Sequence, residues 1–77
     1  MYPNPFVKQQ EALGRAMRAL RLQLGLSQGA AARKMRLNQG QLCRLESGQQ
    51  GVRLAVLLRA SRVLQLRPSD LLREAGL

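Results

Sequence analysis

Ser27 and Asn38 are both residue types that favour helix N-caps, and Gly25 and Gly48, a type common just past helix ends, bracket them. Between Leu26 and Gly48 the chain therefore has room for two short helices and a tight turn, and for little else. The spacing predicts helices over about residues 28–35 and 39–47, with Arg36-Leu37-Asn38 as the turn. Ala31 and Ala32 sit in the middle of the first helix, where small side chains let two helices cross closely. Leu37, Leu42 and Leu45 would anchor the second helix to a core. The opposite face is then free: Gln39, Gly40, Cys43 and Arg44, with Gln41 beside it. That face is polar and, apart from Arg44, uncharged.

The flanks are also helical. Leu13, Ala16, Met17, Leu20 and Leu24 recur at spacings of three and four, which predicts a first helix over about residues 8–24 with Arg15, Arg18 and Arg21 off its apolar face. A fourth helix, about 53–64, carries Leu54, Leu57, Leu58 and Leu64 on one side. Gln65 to Arg67 connects it to a short fifth helix with Pro68 in its first turn, where proline is tolerated, and Leu71, Leu72 and Ala75 inward. Nothing alternates with period two, so no strand is expected. The expected fold is all-α, a five-helix compact bundle forming one domain over residues 8–77. Pro3 and Pro5 around Asn4 predict a flexible N-terminal arm over residues 1–7.

A chain of 77 residues buries only a modest core, so pairing with a second copy would help it. It carries 13 Lys plus Arg against 4 Asp plus Glu, a formal charge of +9. So large an excess on so small a body fits a polyanionic partner, and nucleic acid is the commonest; a solubilising surface, or arginine inflated by a high-GC genome, is the plainer alternative. The basic residues are 11 Arg and 2 Lys. Arginine's planar fork suits phosphates and guanine edges, and glutamine can pair bidentately with adenine. Gln39, Gln41 and Arg44 are thus candidate base readers, Gly40 would let the backbone approach DNA closely, and Cys43 is inert, a methyl contact or a redox-active thiol. Arg36, Arg53 and Lys34 are phosphate candidates, each also readable as a free surface charge.

Other classes fit poorly. There is no histidine, and the carboxylates of Glu11, Glu46, Asp70 and Glu74 are scattered, so no general acid–base pair or nucleophile with its base is visible. An enzyme, a cofactor and a metal site are not expected. One cysteine, Cys43, can form neither an intrachain disulfide nor a cysteine-based zinc site. No apolar run approaches the roughly 20 residues of a membrane span, and the first residues lack signal-peptide character, which predicts a cytoplasmic location.

From Leu13 to Leu72 the chain resembles the Xre/Cro-type helix-turn-helix family of bacterial and phage repressors, whose domains are lambda-repressor-like. The resemblance rests on the Leu26-Ser27-Gln28 opening, Ala32, the Arg44-Leu45-Glu46-x-Gly48 close, and then Leu54, Leu57, Leu58 and Leu71-Leu72. It implies that Gln28 touches a DNA phosphate and braces the third helix, and that Gln39 and Gly40 read bases, with Gln41, Cys43 and Arg44 as further candidates. It implies that Asn38 and Ser47 contact the DNA backbone, and that Glu46 makes a structural ion pair with an arginine of the first helix, here Arg15 or Arg18. Two positions depart from the family. Arg36 stands where the turn usually has glycine, and a left-handed conformation there would cost roughly 1 kcal/mol. Gly51-Val52 replaces the usual asparagine-proline before helix four.

These expectations combine into a homodimeric repressor that binds an inverted-repeat operator in double-stranded DNA through helix three. Leu66, Leu71, Leu72 and Leu77 offer more apolar surface than one small core needs and are the expected dimer interface. The arm residues Tyr2, Phe6 and Val7 could pack on the partner subunit or on the core. The rival class is a protein-interaction module, antitoxin-like, whose DNA binding is secondary and whose partner is another protein. A cationic membrane binder would need one continuous apolar face, which the glycine-punctuated pattern does not offer.

Overall fold

The structure is a computed structural model that describes residues 3–77. It contains α1 (Val7–Gln23), α2 (Gln28–Lys34), α3 (Gln39–Glu46), α4 (Leu54–Val63) and α5 (Pro68–Glu74), with no strand among the described residues. The helices start and stop within a residue of where caps and periodicity place them. Tyr2, one of the arm residues, lies outside the described residues. Phe6 and Val7 are exposed, and Val7 already belongs to α1. Asn4 ties the arm to the helix: its Oδ1 accepts the Phe6 N–H at 2.9 Å and its Nδ2 donates to Gln10 Oε1 at 3.0 Å.

The starts of α2, α3 and α5 each have a local cause. Ser27 Oγ accepts the Ala30 N–H at 3.1 Å, filling one of the open donors at the start of α2. At α3 a full capping box forms. Asn38 Oδ1 accepts the Gln41 N–H, Gln41 Oε1 accepts the Asn38 N–H, and both bonds are 2.8 Å. Pro68 opens α5, and Asp70 Oδ2 accepts the Arg67 N–H at 3.3 Å. The ends of α2 and α4 pass through left-handed residues that are not glycine, Arg36 (φ 59°) and Gln65 (φ 65°). Behind α2, Leu37 N–H bonds Ala32 O at 2.8 Å and Arg36 N–H bonds Arg33 O at 3.1 Å, the paired bonds of a Schellman motif. The turn thus keeps the geometry glycine would give it, and arginine carries the strain.

The core gathers Leu13 and Met17 of α1, Ala31, Ala32 and Met35 of α2 and its end, Leu42 of α3, Ala60 and Leu64 of α4 and its end, and Leu71 of α5. α1 lies across α3 at Gly14. A Cβ there would collide with the carbonyl oxygens of Leu45 and Glu46, the latter at 2.7 Å. Glycine in mid-helix costs roughly 0.5–1 kcal/mol relative to alanine, and here it is what lets the two backbones touch.

Three expectations about faces are corrected. Arg21 is on the buried face of α1, four residues after Met17 and eight after Leu13, so the helical period turns it inward with them. Leu24 ends the helix and is 39% exposed. In α4 the inward stripe is Val56, Ala60 and Ser61 with Leu57 partly buried, while Leu54 (68% exposed) and Leu58 (46%) face outward. This helix is apolar on most of its circumference, so periodicity alone did not select the face.

Candidate nucleic-acid interface

α2 and α3 meet through the Arg36-Leu37-Asn38 turn, with Ala31 and Ala32 fully buried at the contact. α3 buries Leu42, Leu45 and Glu46 and leaves Gln39, Gly40, Cys43 and Arg44 exposed on its outer side. Gln41 is half-buried, its Oε1 already engaged in the capping box. The structure therefore brings together on one helix all five residues expected to read bases, but Gln41 has only its Nε2 donor free. A Cβ at Gly40 would meet only Asn38 Oδ1 at 3.4 Å and Arg44 Nη1 at 3.5 Å, ordinary contacts, so nothing within the chain demands glycine there.

A polar relay fixes α3 from behind. Arg21 Nε donates to Glu46 Oε2 at 2.6 Å, Arg21 Nη2 to Glu46 Oε1 at 3.0 Å, and Arg21 Nη1 to the Leu26 carbonyl at 2.9 Å. Gln28 Nε2 also donates to Glu46 Oε1 at 3.0 Å, and Gln39 Nε2 reaches Gln28 Oε1 at 3.5 Å. The hydrogen bonds to Glu46, opposed by desolvation and aided by its charge, hold the Arg21 guanidinium protonated more firmly than usual. Glu46 is thus structural, but its partner is Arg21. Arg15 and Arg18, the expected partners, are both exposed.

Around this helix lie Lys34, Arg36, Asn38, Ser47 and Arg53, all exposed. Arg53 is the N-cap residue of α4 and makes no side-chain cap. Ser47 donates its hydroxyl to the Arg44 carbonyl at 3.2 Å. Arg44 Nε donates to Gln50 Oε1 at 3.2 Å, which holds the side chain while its terminal nitrogens form no hydrogen bond among the described residues. Gln50 was not singled out in the sequence, and a loop glutamine offers no periodic signal. Arg21 had one, its four-residue spacing from Met17.

Of the expected dimer residues, Leu71 is completely buried in the chain's own core and has no surface to offer a partner. Leu66 and Leu72 are half-buried, and Leu77 is 52% exposed. No helix among the described residues is long and apolar enough to cross a membrane.

The helix-turn-helix domain family matches residues 12–75. No curated protein matches the chain. Among solved structures, the clp gene regulator ClgR from Corynebacterium glutamicum is similar at 32% identity, covering 96% of this chain and 77% of that one with a TM-score of 0.84. A second structure of the same regulator covers 99% and 95% at 32% identity, TM-score 0.83. The restriction-modification controller protein C.AhdI from Aeromonas hydrophila is similar at 31% identity over 80% of this chain and 94% of that one, TM-score 0.77. With α2 and α3 joined at a tight turn, a polar outer face on α3 and these likenesses across the fold, the chain belongs to the helix-turn-helix domain family of DNA-binding transcription regulators, in its Xre/Cro type.

Proposed function

We propose that the protein is a homodimeric repressor that acts in the cytoplasm on an inverted-repeat operator, each subunit placing α3 in one major groove. The observation that carries this reading is the division of α3: Leu42, Leu45 and Glu46 lock it from behind while Gln39, Gly40, Cys43 and Arg44 face outward. An eight-residue helix is about 12 Å long, enough to read one half-site. Two copies would read half-sites about 34–36 Å apart on one face of the duplex. In this reading Arg44 takes a guanine, Gln39 and Gln41 offer amides to base edges, Gly40 admits close approach and Cys43 contacts a thymine methyl. Gln28, Lys34, Arg36, Asn38, Ser47 and Arg53 set the register on phosphates or brace the helix.

The dimer surface we assign is the outward side of α4 and the C-terminal segment: Leu54, Leu58, Leu66, Leu72 and Leu77. Leu58, Leu66 and Pro68 line one shallow depression, which supports a contact between copies there.

The test is selection from a random duplex pool, followed by titration of the winner against scrambled DNA at several salt concentrations. An enriched inverted repeat bound far more tightly than scrambled DNA is expected. Steeply salt-dependent binding to every duplex, without enrichment, would leave charge attraction alone and favour the protein-partner alternative.

A further inference from the structure

Arg44 is aimed by a residue that lies outside its own helix. Its Nε–H is taken by Gln50 Oε1 at 3.2 Å, and both Nη groups are left as donors. The guanidinium also lies back along α3. A Cβ built on Gly40, one turn earlier, would stand 3.5 Å from Arg44 Nη1. Gly40 is the second residue of α3, and the N-terminal residues of such a helix are the ones that meet base edges. The bond to Gln50 therefore holds the guanidinium over the reading end of α3.

A hydrogen bond between two exposed, freely turning side chains would fix little. Gln50 is exposed, but the backbone that carries it is anchored on α1. Gly48 is buried at φ 76°, so close to Glu11 that a Cβ there would stand 2.8 Å from the Glu11 Cα. Gln10 Nε2 donates to the Gly48 carbonyl at 2.9 Å, and Gln10 Oε1 would lie 3.2 Å from a Cβ on Gly51. One side chain of α1 thus borders both ends of the short segment that carries Gln50. The Gln49 N–H closes that segment onto the Arg44 carbonyl at 2.9 Å.

A free arginine can turn either of two donor edges to an acceptor, Nε with Nη2 or Nη1 with Nη2. With Nε engaged, the second edge is left. We propose that Gln50 is a positioning residue for base reading: it holds Arg44 so that the Nη1–Nη2 edge meets O6 and N7 of a guanine, and it touches no base itself. A side chain held in this way loses less freedom on docking, and it is matched to one placement of the base. The proposal rests on the reading of Arg44 as a base reader.

The test is a double-mutant cycle with wild type, Arg44→Ala, Gln50→Met and the two combined. Each is titrated with the selected operator, its single-base variants and scrambled DNA. Methionine keeps the length of the side chain and removes the acceptor. Gln50→Met is expected to lower discrimination about 3- to 10-fold at the base pair that Arg44→Ala relaxes. Other base pairs, scrambled DNA and the thermal midpoint should stay at wild-type values. In the Arg44→Ala background the same change should add nothing. Gln50→Glu keeps an acceptor of the same reach, so it should retain discrimination at that pair while its charge weakens binding to every duplex. Full discrimination in Gln50→Met, where Arg44→Ala has lost it, overturns the proposal and leaves Arg44 a base reader. A loss that persists in the Arg44→Ala background also overturns it, because Gln50 then acts on DNA by itself. Equal loss in Gln50→Glu and Gln50→Met does the same, because the acceptor is then not what matters. If Arg44→Ala weakens operator and scrambled DNA alike, the base-reader reading fails and the proposal falls with it.

Discussion

Arg21 of α1 and Glu46 of α3 form a buried, two-pronged ion pair, with Nε–Oε2 at 2.6 Å and Nη2–Oε1 at 3.0 Å. The same carboxylate accepts from Gln28, so one side chain ties together the first helix and both helices of the DNA-binding unit. The pair is desolvated and each guanidinium nitrogen has an acceptor, so its loss on one side strands a buried charge.

Arg21→Met is therefore expected to destabilise the fold by about 3–5 kcal/mol, and Arg21→Met with Glu46→Leu to recover a large part of that loss. Urea unfolding of the two variants checks it. A double variant as unstable as the single one would show that the cost is packing and not the stranded carboxylate. Arg21 has its pKa raised, so its contribution is complete below its unfolded pKa and is lost only as pH rises through the folded value. Since both values are far above neutrality, this pair brings no loss of stability across the physiological range from the arginine side.

Gly14→Ala should destabilise by about 1–3 kcal/mol, although alanine is the better helix former. The added Cβ meets backbone carbonyls of α3, which cannot rotate away as a side chain can. Thermal unfolding decides, and an unchanged or raised midpoint would mean that α1 and α3 can separate freely.

Gln65→Gly should stabilise by about 0.5–1 kcal/mol, because Gln65 holds a left-handed conformation at an exposed helix end. It lies away from α3, so DNA affinity should stay level while the urea midpoint rises. A fall in the midpoint would mean that the flexibility glycine adds to the unfolded chain outweighs the strain it removes.

Arg44→Ala should weaken operator binding and relax preference at one base pair, by an estimated 1–3 kcal/mol. Competition between the operator and its single-base variants measures this. Equal loss on operator and random DNA would make Arg44 a phosphate contact.

Leu58→Glu should shift the protein toward monomer and flatten the dependence of operator binding on protein concentration, with the fold intact, since the side chain faces solvent in the single chain. Sedimentation equilibrium at tens of micromolar is the measurement. A variant that dimerises as tightly as wild type would move the interface elsewhere.

Most of the local structure was legible in the sequence because local residues cause it. Ser27 and Asn38 start helices with their own side-chain oxygens, Pro68 opens α5, and three-and-four spacing marks the core stripe of α1. The outer face of α3 follows from Leu42 and Leu45, which leave the other side free. What only the tertiary structure decided depends on which elements meet. Arg21 counted as a surface charge until α3 brought a carboxylate to it, and nothing local accounts for a glycine at position 14 inside a helix, whereas the backbone of α3 lying against it does. The inward face of α4 was undetermined because leucines surround it, and packing chose Val56 and Ala60 over Leu54 and Leu58. Caps, turns and periodicity act within a few residues, whereas charge pairing, close approach and burial are properties of pairs of elements.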